Sequence, residues 1–372
     1  MQSRNVLVTG GAGYIGAVLC GRLLRSGWRV TVYDRFFFGK GAVAHIKNHP
    51  RLTIIEGDIR DTKKISPLIE PGMSIVHLAS LSNDPSCDLD PEWSVQINHE
   101  AAVSLAKAAK TKGGSRFIFS SSCSVYGSGG GEPLKEASPC NPVSLYAKLK
   151  LKTETELLGM SDKTFCTVIL RQATIFGFSP RMRFDLAVNQ MTMHALTRRK
   201  IFVLGGGLQW RPFVHVRDAA AVFQKTLELE PDKLRGEIFN MGNERYNFRI
   251  VDLARSVAEE LGGVEVEIAP EDPDKRDYRV DFSKIKNLLG FNPQVSIAEG
   301  INEVASFIRQ NPERDYNTGE FFNIKKLMEH LKPPSGNGGR PAGEKITAPA
   351  KNHEAENFDI TQPVKRVGSA SV

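Results

Sequence analysis

Six short apolar runs, NVLVTG, RVTVYD, LTIIEGD, SIVHLAS, RFIFSSS and CTVILRQ, recur along the first half of the sequence, mostly with room for a helix between them. Strands that are apolar on consecutive positions are buried on both faces, and such strands belong to a parallel sheet covered by helices. The intervening segments fit that reading. GAVLCGRLLRSG follows the first run, PEWSVQINHEAAVSLAKAAKTKG precedes the fifth, and SLYAKLKLKTETELLGM precedes the sixth. The expected fold class is α/β, a doubly wound parallel sheet over residues 1–178. Beyond residue 178 the pattern loosens, with FDLAVNQMTMHALTRR and IVDLARSVAEELG as helices among short strands, which predicts a smaller C-terminal α/β domain over 179–331 that binds substrate. Within it FVHVRDAAAVFQKTLE again reads as strand then helix, so a segment near 213–242 is expected to return to the first domain. Residues 332–372, rich in Pro, Gly, Ala and polar residues without periodicity, read as a disordered tail.

The 372 residues are 41% hydrophobic and 24% charged, enough apolar surface for a sizeable core. No apolar run reaches the roughly 20 residues that cross a bilayer, and the opening MQSRNVLVTGG enters a strand too early for a signal peptide. A cytoplasmic location and no membrane partner are expected. The net charge of +7 comes from scattered basic residues, and the densest short run, RRK at 198–200, ends a helix before a strand. Small anionic ligands explain that balance as well as nucleic acid does, and no nucleic-acid partner is expected. The five cysteines (Cys20, Cys87, Cys123, Cys140, Cys166) are odd in number and lack Cys-x-x-Cys spacing, so they read as core residues. His77, His99, His194 and His215 have no acid or cysteine at metal or triad spacing; no metal site is expected.

VLVTGGAGYIGAVLCGRLL sets Gly10, Gly13 and Gly16 between the first strand and the first helix. Glycines there allow a tight turn and close backbone approach, and the helix N-terminus faces a pyrophosphate, so the sheet is expected to be Rossmann-like and to bind a dinucleotide. Asp34 closes the second run, where a carboxylate accepts from ribose hydroxyls and repels a 2′-phosphate. That favours NAD over NADP, while Arg35 beside it is the residue that could greet a phosphate instead. Asp58, in EGDIRD, is expected at the end of the third strand, near the adenine.

SLYAKLK places Tyr146 and Lys150 one helical turn apart on one face. A nearby ammonium favours phenolate, and lowering a tyrosine from about 10 to about 7 takes roughly 4 kcal/mol, which a desolvated lysine together with a cationic ring could supply. Taken alone, Tyr-x-x-x-Lys is a weak signal, since chance places such pairs on solvated helices.

The motifs TGGAGYIG, GDIRD, HLAS, SSCSVYG, YAKLK and WRPFVHVRDAA together resemble the extended short-chain dehydrogenase/reductase superfamily, and within it the NAD-dependent nucleotide-sugar epimerase/dehydratase family. The resemblance covers about residues 4–310. It implies NAD as cofactor, a nucleotide-diphosphate sugar as substrate, and a homodimer paired through helices near 92–110 and 144–160. It implies that Tyr146 removes a proton from a sugar hydroxyl, that Lys150 holds the nicotinamide ribose and keeps the phenol acidic, and that Ser122 hydrogen-bonds the reacting oxygen. The implied cofactor site comprises Gly10, Gly13, Tyr14, Ile15, Gly16, Asp34, Arg35, Asp58, Ile59, Leu78, Ala79, Ser80, Asn98, Tyr146 and Lys150. The implied substrate contacts are Ser122, Thr174, Asp185, Arg211 and Arg276. The two arginines suit a diphosphate, and Asp185 either reads a sugar hydroxyl or pairs with Arg181 or Arg183.

Departures from the family pattern bear on the reaction. Members that eliminate water or carbon dioxide usually carry an acid just before the VYG segment, where this chain has Cys123 and Ser124. A cysteine serving as acid/base in a 3,5-epimerising branch sits at the position of Ser124, one residue later than Cys123, and one residue on a strand is the opposite face. Cys123 is expected to pack. The first expectation is a nucleotide-sugar epimerase acting by transient oxidation at sugar C4. The second is a ketoreductase or dehydrogenase with net redox, and the third a non-catalytic NAD-binding scaffold.

Overall fold

The computed structural model describes residues 4–129, 131–270 and 276–331. The tail predicted over 332–372 lies outside the described residues.

The first part of the chain alternates strand and helix: β1 (Asn5–Thr9), α1 (Tyr14–Arg25), β2 (Arg29–Asp34), β3 (Leu52–Glu56), α2 (Thr62–Ile65), β4 (Ser74–His77), α3 (Asp84–Leu89), α4 (Pro91–Val95), α5 (Ala101–Thr111), β5 (Arg116–Ser122), α6 (Leu145–Gly159) and β6 (Cys166–Gln172). The later part adds β7 (Thr174–Phe176), α7 (Ala187–Arg198), β8 (Lys200–Val203), β9 (Trp210–His215), α8 (Val216–Glu228), β10 (Glu237–Met241), β11 (Asn247–Arg249), α9 (Ile250–Glu260), β12 (Glu265–Ile268), α10 (Ser283–Leu289), α11 (Ile297–Arg309) and α12 (Asn323–Leu331). No helix among the described residues is long and apolar enough to cross a membrane.

Among the described residues one seven-stranded sheet runs in the order β10-β6-β5-β4-β1-β2-β3, every neighbouring pair parallel. This is a Rossmann-like doubly wound sheet, and its strand order reverses between β1 and β4. Strand alternation divides its core. Val6 and Val8 pack with Leu19 and Leu23 of α1 and with Val222 and Phe223 of α8. Leu7 points the other way and packs with Leu105 and Ala109 of α5 and Leu157 of α6. The chain leaves this sheet at Ala173, because β7 pairs with β9 in a second sheet of order β11-β9-β7, and it re-enters through α8 and β10. A parallel pair, β8 and β12, completes the smaller layer.

The densest polar contact in the core joins α6 to β6. Arg171, on β6, donates to both carboxylate oxygens of Glu154, at 2.7 Å for the closest contact, and Ser121 donates to the same carboxylate. Both partners are almost wholly buried. Arg171 also reaches the Tyr126 hydroxyl and the Glu136 carbonyl. Burial works against its charge, but bonding to Glu154 outweighs it and holds the guanidinium well above its ordinary range.

Candidate active site

A cleft of about 680 Å³ opens at the carboxyl ends of the sheet strands, where β1 and β4 diverge. The glycine loop forms one wall. Gly10 holds φ at +72°, and a Cβ there would stand 2.7 Å from the Ala79 nitrogen; a Cβ on Gly16 would stand 2.2 Å from the Gly10 carbonyl. Only glycine lets the turn close on itself and on the segment that follows β4 this tightly. Gly13 is the N-cap of α1 and makes no side-chain cap, so the first turn of that helix opens on the cleft.

Asp34, at the end of β2, accepts from the Ala12 amide at 2.9 Å and the Phe36 amide at 2.7 Å. Burial pushes its carboxyl up, against those two donors and the nearby Arg181. Arg35 pairs with Asp58 at 3.3 Å and lies 5.5 Å from the Trp93 ring centroid. Strand β3 ends at Glu56, so Asp58 sits in the turn beyond it. Burial would raise its carboxyl, but Arg60 and Arg35 outweigh that and hold it below its usual range. The cradle a Cβ would fill, the open helix end and the carboxylate at β2 fit a dinucleotide. Replacing Asp34 with Ala or Ser is expected to weaken NAD by about tenfold or more, since charge-assisted hydrogen bonds contribute about 1.5–3 kcal/mol. The gap between NAD and NADP should narrow; calorimetric titration of both cofactors checks this, and an unchanged ratio would deny Asp34 the selection.

The opposite wall comes from β5 and α6. Ser144 caps α6, accepting from the Ala147 amide at 3.2 Å, which starts the helix so that Tyr146, Lys150 and Glu154 share one face. Lys150 Nζ donates to the Ser120 carbonyl at 2.8 Å and lies 5.5 Å from the Tyr146 ring centroid. Ser122 ends β5; its Oγ accepts from the Ser124 amide, and Ser122 and Tyr146 both line the cleft. Cys123 is buried, with its thiol donating to the Arg171 carbonyl, whereas Ser124 lines the cleft with no partner on its Oγ.

Burial acts on both members of the Tyr146–Lys150 pair. Burial pushes Tyr146 up, Cys87 and Asp84 push the same way, and Arg183 and Ser122 only partly offset them. Burial also lowers Lys150, to about 8. Desolvation penalises both charged forms at once and exceeds their mutual attraction. The unfolded chain holds the Lys150 proton up to about pH 10.4 while the folded chain releases it near 8, so stability rises with pH across that window. Lys150→Met is therefore expected to raise the melting temperature at neutral pH, with the gain vanishing by about pH 10. A gain that persisted there would reflect packing rather than charge.

The implied substrate contacts divide. Thr174, Arg211 and Arg276 line the cleft, with Arg276 paired to Asp84 and the Arg211 guanidinium 5.4 Å from the Tyr278 ring centroid. Asp185 takes the pairing alternative: Arg183 engages it at 2.8 and 2.9 Å, and Asn83 donates to it at 2.9 Å, so its carboxylate is occupied by protein. Asn98, expected at the cofactor, is instead behind the cleft wall. Its Oδ1 accepts from the Ser80 hydroxyl and the Leu81 amide, and its amide donates to the Leu81 carbonyl, so it shapes that wall without lining the cleft. Tyr14 lines the cleft at the helix start, yet its hydroxyl turns to the Gly177 carbonyl and Asn189. Ile15, Ile59, Leu78, Ala79 and Ser80 all line the cleft.

Three cleft residues were missed. Asn83 has φ at +119°, rare for any residue with a side chain, and is held there by Asp185. Asp84 reaches both Arg276 and Ser144. Asn323 arrives from α12, beyond the reach of the motifs. His77 bonds Thr9, His99 bonds Thr153, His215 faces Glu303, and His194 Nε2 is buried without a partner. No cluster among the described residues could hold a metal.

The cleft stands where a doubly wound sheet binds dinucleotides. The model of the NAD dependent epimerase/dehydratase family matches residues 6–242, and the chain belongs to that family; its cofactor is NAD. UDP-glucuronic acid decarboxylase 1 of Xenopus tropicalis is 30% identical over 327 residues, 84% of this chain and 74% of that one. UDP-glucose 4-epimerase of Mycolicibacterium smegmatis is 30% identical, over 82% of this chain and 99% of its own. The solved UDP-glucuronic acid 4-epimerase of Bacillus cereus, in complex with UDP-glucuronic acid and NAD, is 27% identical with a TM-score of 0.70, over 82% of this chain and 99% of that one.

Proposed function

We propose that the protein is a nucleotide-sugar epimerase that oxidises sugar C4 transiently and reduces it again on the other face. Bound NAD supplies the acceptor that takes up and returns the hydride within one cycle. Tyr146 accepts the proton of the C4 hydroxyl and later gives it back, Ser122 bonds the same oxygen, and Lys150 contributes positive charge beneath the phenol. Arg211 and Arg276 hold the diphosphate while the keto sugar turns about its link. Thr174 contacts the sugar.

The observation that carries the epimerase reading is the pair of side chains before Val125. Cys123 is turned into the core and Ser124 faces the cleft, so neither position offers a carboxyl group to protonate a leaving hydroxyl or the carbanion that loss of carbon dioxide would leave on the sugar. A second reading, decarboxylation, draws support from the several UDP-glucuronic acid decarboxylases among the relatives. UDP-glucuronic acid is also the ligand named for the solved epimerase, which makes it the first substrate to test. The experiment is incubation with UDP-, dTDP-, GDP- and CDP-sugars, uronic acids included, following epimers by chromatography, carbon dioxide release, and NADH by absorbance. Epimer formation alone supports the first reading, carbon dioxide the second, and stoichiometric NADH change a dehydrogenase or ketoreductase. A homodimer through the helices near 92–110 and 144–160 belongs to the same reading, and light scattering in solution tests it.

A further inference from the structure

Arg181 has no part in the roles above. Its side chain is buried, at 5% exposure, and lines the cleft on the side of Asp34, whose carboxylate feels its charge. Nη2 donates to Asn323 Oδ1, but Nε and Nη1 find no acceptor in the protein. The next arginine along, Arg183, is fully engaged by Asp185 and Ser82. The Arg181 guanidinium lies 3.8 Å from the Phe38 ring centroid, so that ring covers it. Burial, with Arg183 adding to it, pulls the group down to about 9.

A buried charged donor without a partner costs more than a neutral one. Two of them on one guanidinium, in the wall of a cleft, constitute a site for an acceptor the protein does not supply. The fork geometry favours phosphate or carboxylate oxygens. The position selects between ligands: Asp34 ends β2 and Phe38 lies in the loop after it, on the dinucleotide side, whereas Arg211, on β9 against Tyr278, and Arg276, paired with Asp84, stand elsewhere in the cleft. A 2′-phosphate is disfavoured by the Asp34 carboxylate, which leaves the pyrophosphate.

We infer that Arg181 is a phosphate-binding residue of the dinucleotide site, its Nε and Nη1 donating to the NAD pyrophosphate once the Phe38 ring slides aside. Through Asn323 the same guanidinium ties that site to α12, which lies outside the part of the chain the family model matches. The inference rests on NAD as cofactor and is independent of the epimerase reading.

The test is calorimetric titration of nucleotide-free full-length protein with NAD, ADP-ribose, adenosine and UDP, for wild type, Arg181→Met and Arg181→Lys, with melting temperatures recorded beside it. Arg181→Met is expected to weaken NAD and ADP-ribose by about ten- to a hundredfold and to leave adenosine and UDP unchanged. Arg181→Lys, which keeps charge but not the fork, should fall between. An equal loss for adenosine would make Arg181 structural, a loss confined to UDP would move it to the substrate, and no loss would leave it without a ligand; each of these overturns the inference. If Arg181→Met fails to fold, Arg181→Lys decides: weaker ADP-ribose with unchanged adenosine supports the phosphate contact, and unchanged ADP-ribose rejects it.

Discussion

Tyr146→Phe is expected to keep the fold and bind NAD nearly as the wild type does, while turnover falls by about 10²–10⁴-fold. The substitution removes one hydroxyl from a half-buried ring and leaves intact the Ser144 cap that starts α6 and the Lys150 bond to the Ser120 carbonyl that ties α6 to β5. What disappears is the proton acceptor at the cleft. Because burial raises the Tyr146 phenol and lowers the Lys150 ammonium, the lysine alone does not make this base in the ligand-free protein. An oxidised nicotinamide would add its positive charge to that of Arg183, so saturating NAD should lower the pH at which tyrosinate absorbance appears, and this shift should be absent in Tyr146→Phe. Kinetics and ultraviolet difference spectra on the same samples check both statements. A mutant with comparable turnover removes Tyr146 from the chemistry.

Glu154→Ala is expected to have the largest effect on stability. Removing one member of a buried ion pair costs about 3–5 kcal/mol, because the other charge stays buried without its partner. Here the loss strands the Arg171 guanidinium between α6 and β6 and takes an acceptor from Ser121. Glu154 lies one turn beyond Lys150 on the same face, so the pair also fixes the helix that carries Tyr146 and Lys150. Denaturant unfolding of wild type, Glu154→Ala, Arg171→Met and the double variant measures the coupling. The double variant should be less destabilised than the sum of the two single changes, since it leaves no lone charge; strict additivity would mean that the pair is not coupled.

Much of this architecture was legible in the sequence because its causes are local. A strand apolar on consecutive positions has to be covered on both faces, so the runs from NVLVTG to CTVILRQ specify a covered parallel sheet. Gly16 is legible because the steric demand on it comes from Gly10 and Gly11, a few residues away, whereas the demand on Gly10 comes from Leu78 and Ala79 just past β4. Cys123 and Ser124 lie beyond β5 in a short helical turn, with Cys123 in the core and Ser124 at the cleft, so the packed Cys123 expected from strand alternation is found but a turn, not a strand, separates the two. What stayed hidden depends on distant partners. Asp185 faced three possible partners in sequence, and which one it takes is decided by packing. Arg181 and Asn323 are 142 positions apart. Asn98 reads as a cofactor residue from the motif, yet its side chain is spent on Ser80 and Leu81. The direction in which Tyr146 titrates turns on how much water reaches the site, and spacing does not encode that.

The most direct test of C4 epimerisation uses a nucleotide sugar carrying deuterium at C4, UDP-glucuronic acid first, with product isotopes read by mass spectrometry and nucleotide redox state by absorbance. Transient oxidation at C4 predicts both epimers at equilibrium, deuterium retained at C4 in each, and no net NADH. Deuterium accumulating in free reduced nicotinamide, or release of carbon dioxide with loss of the uronic carboxylate, would contradict it.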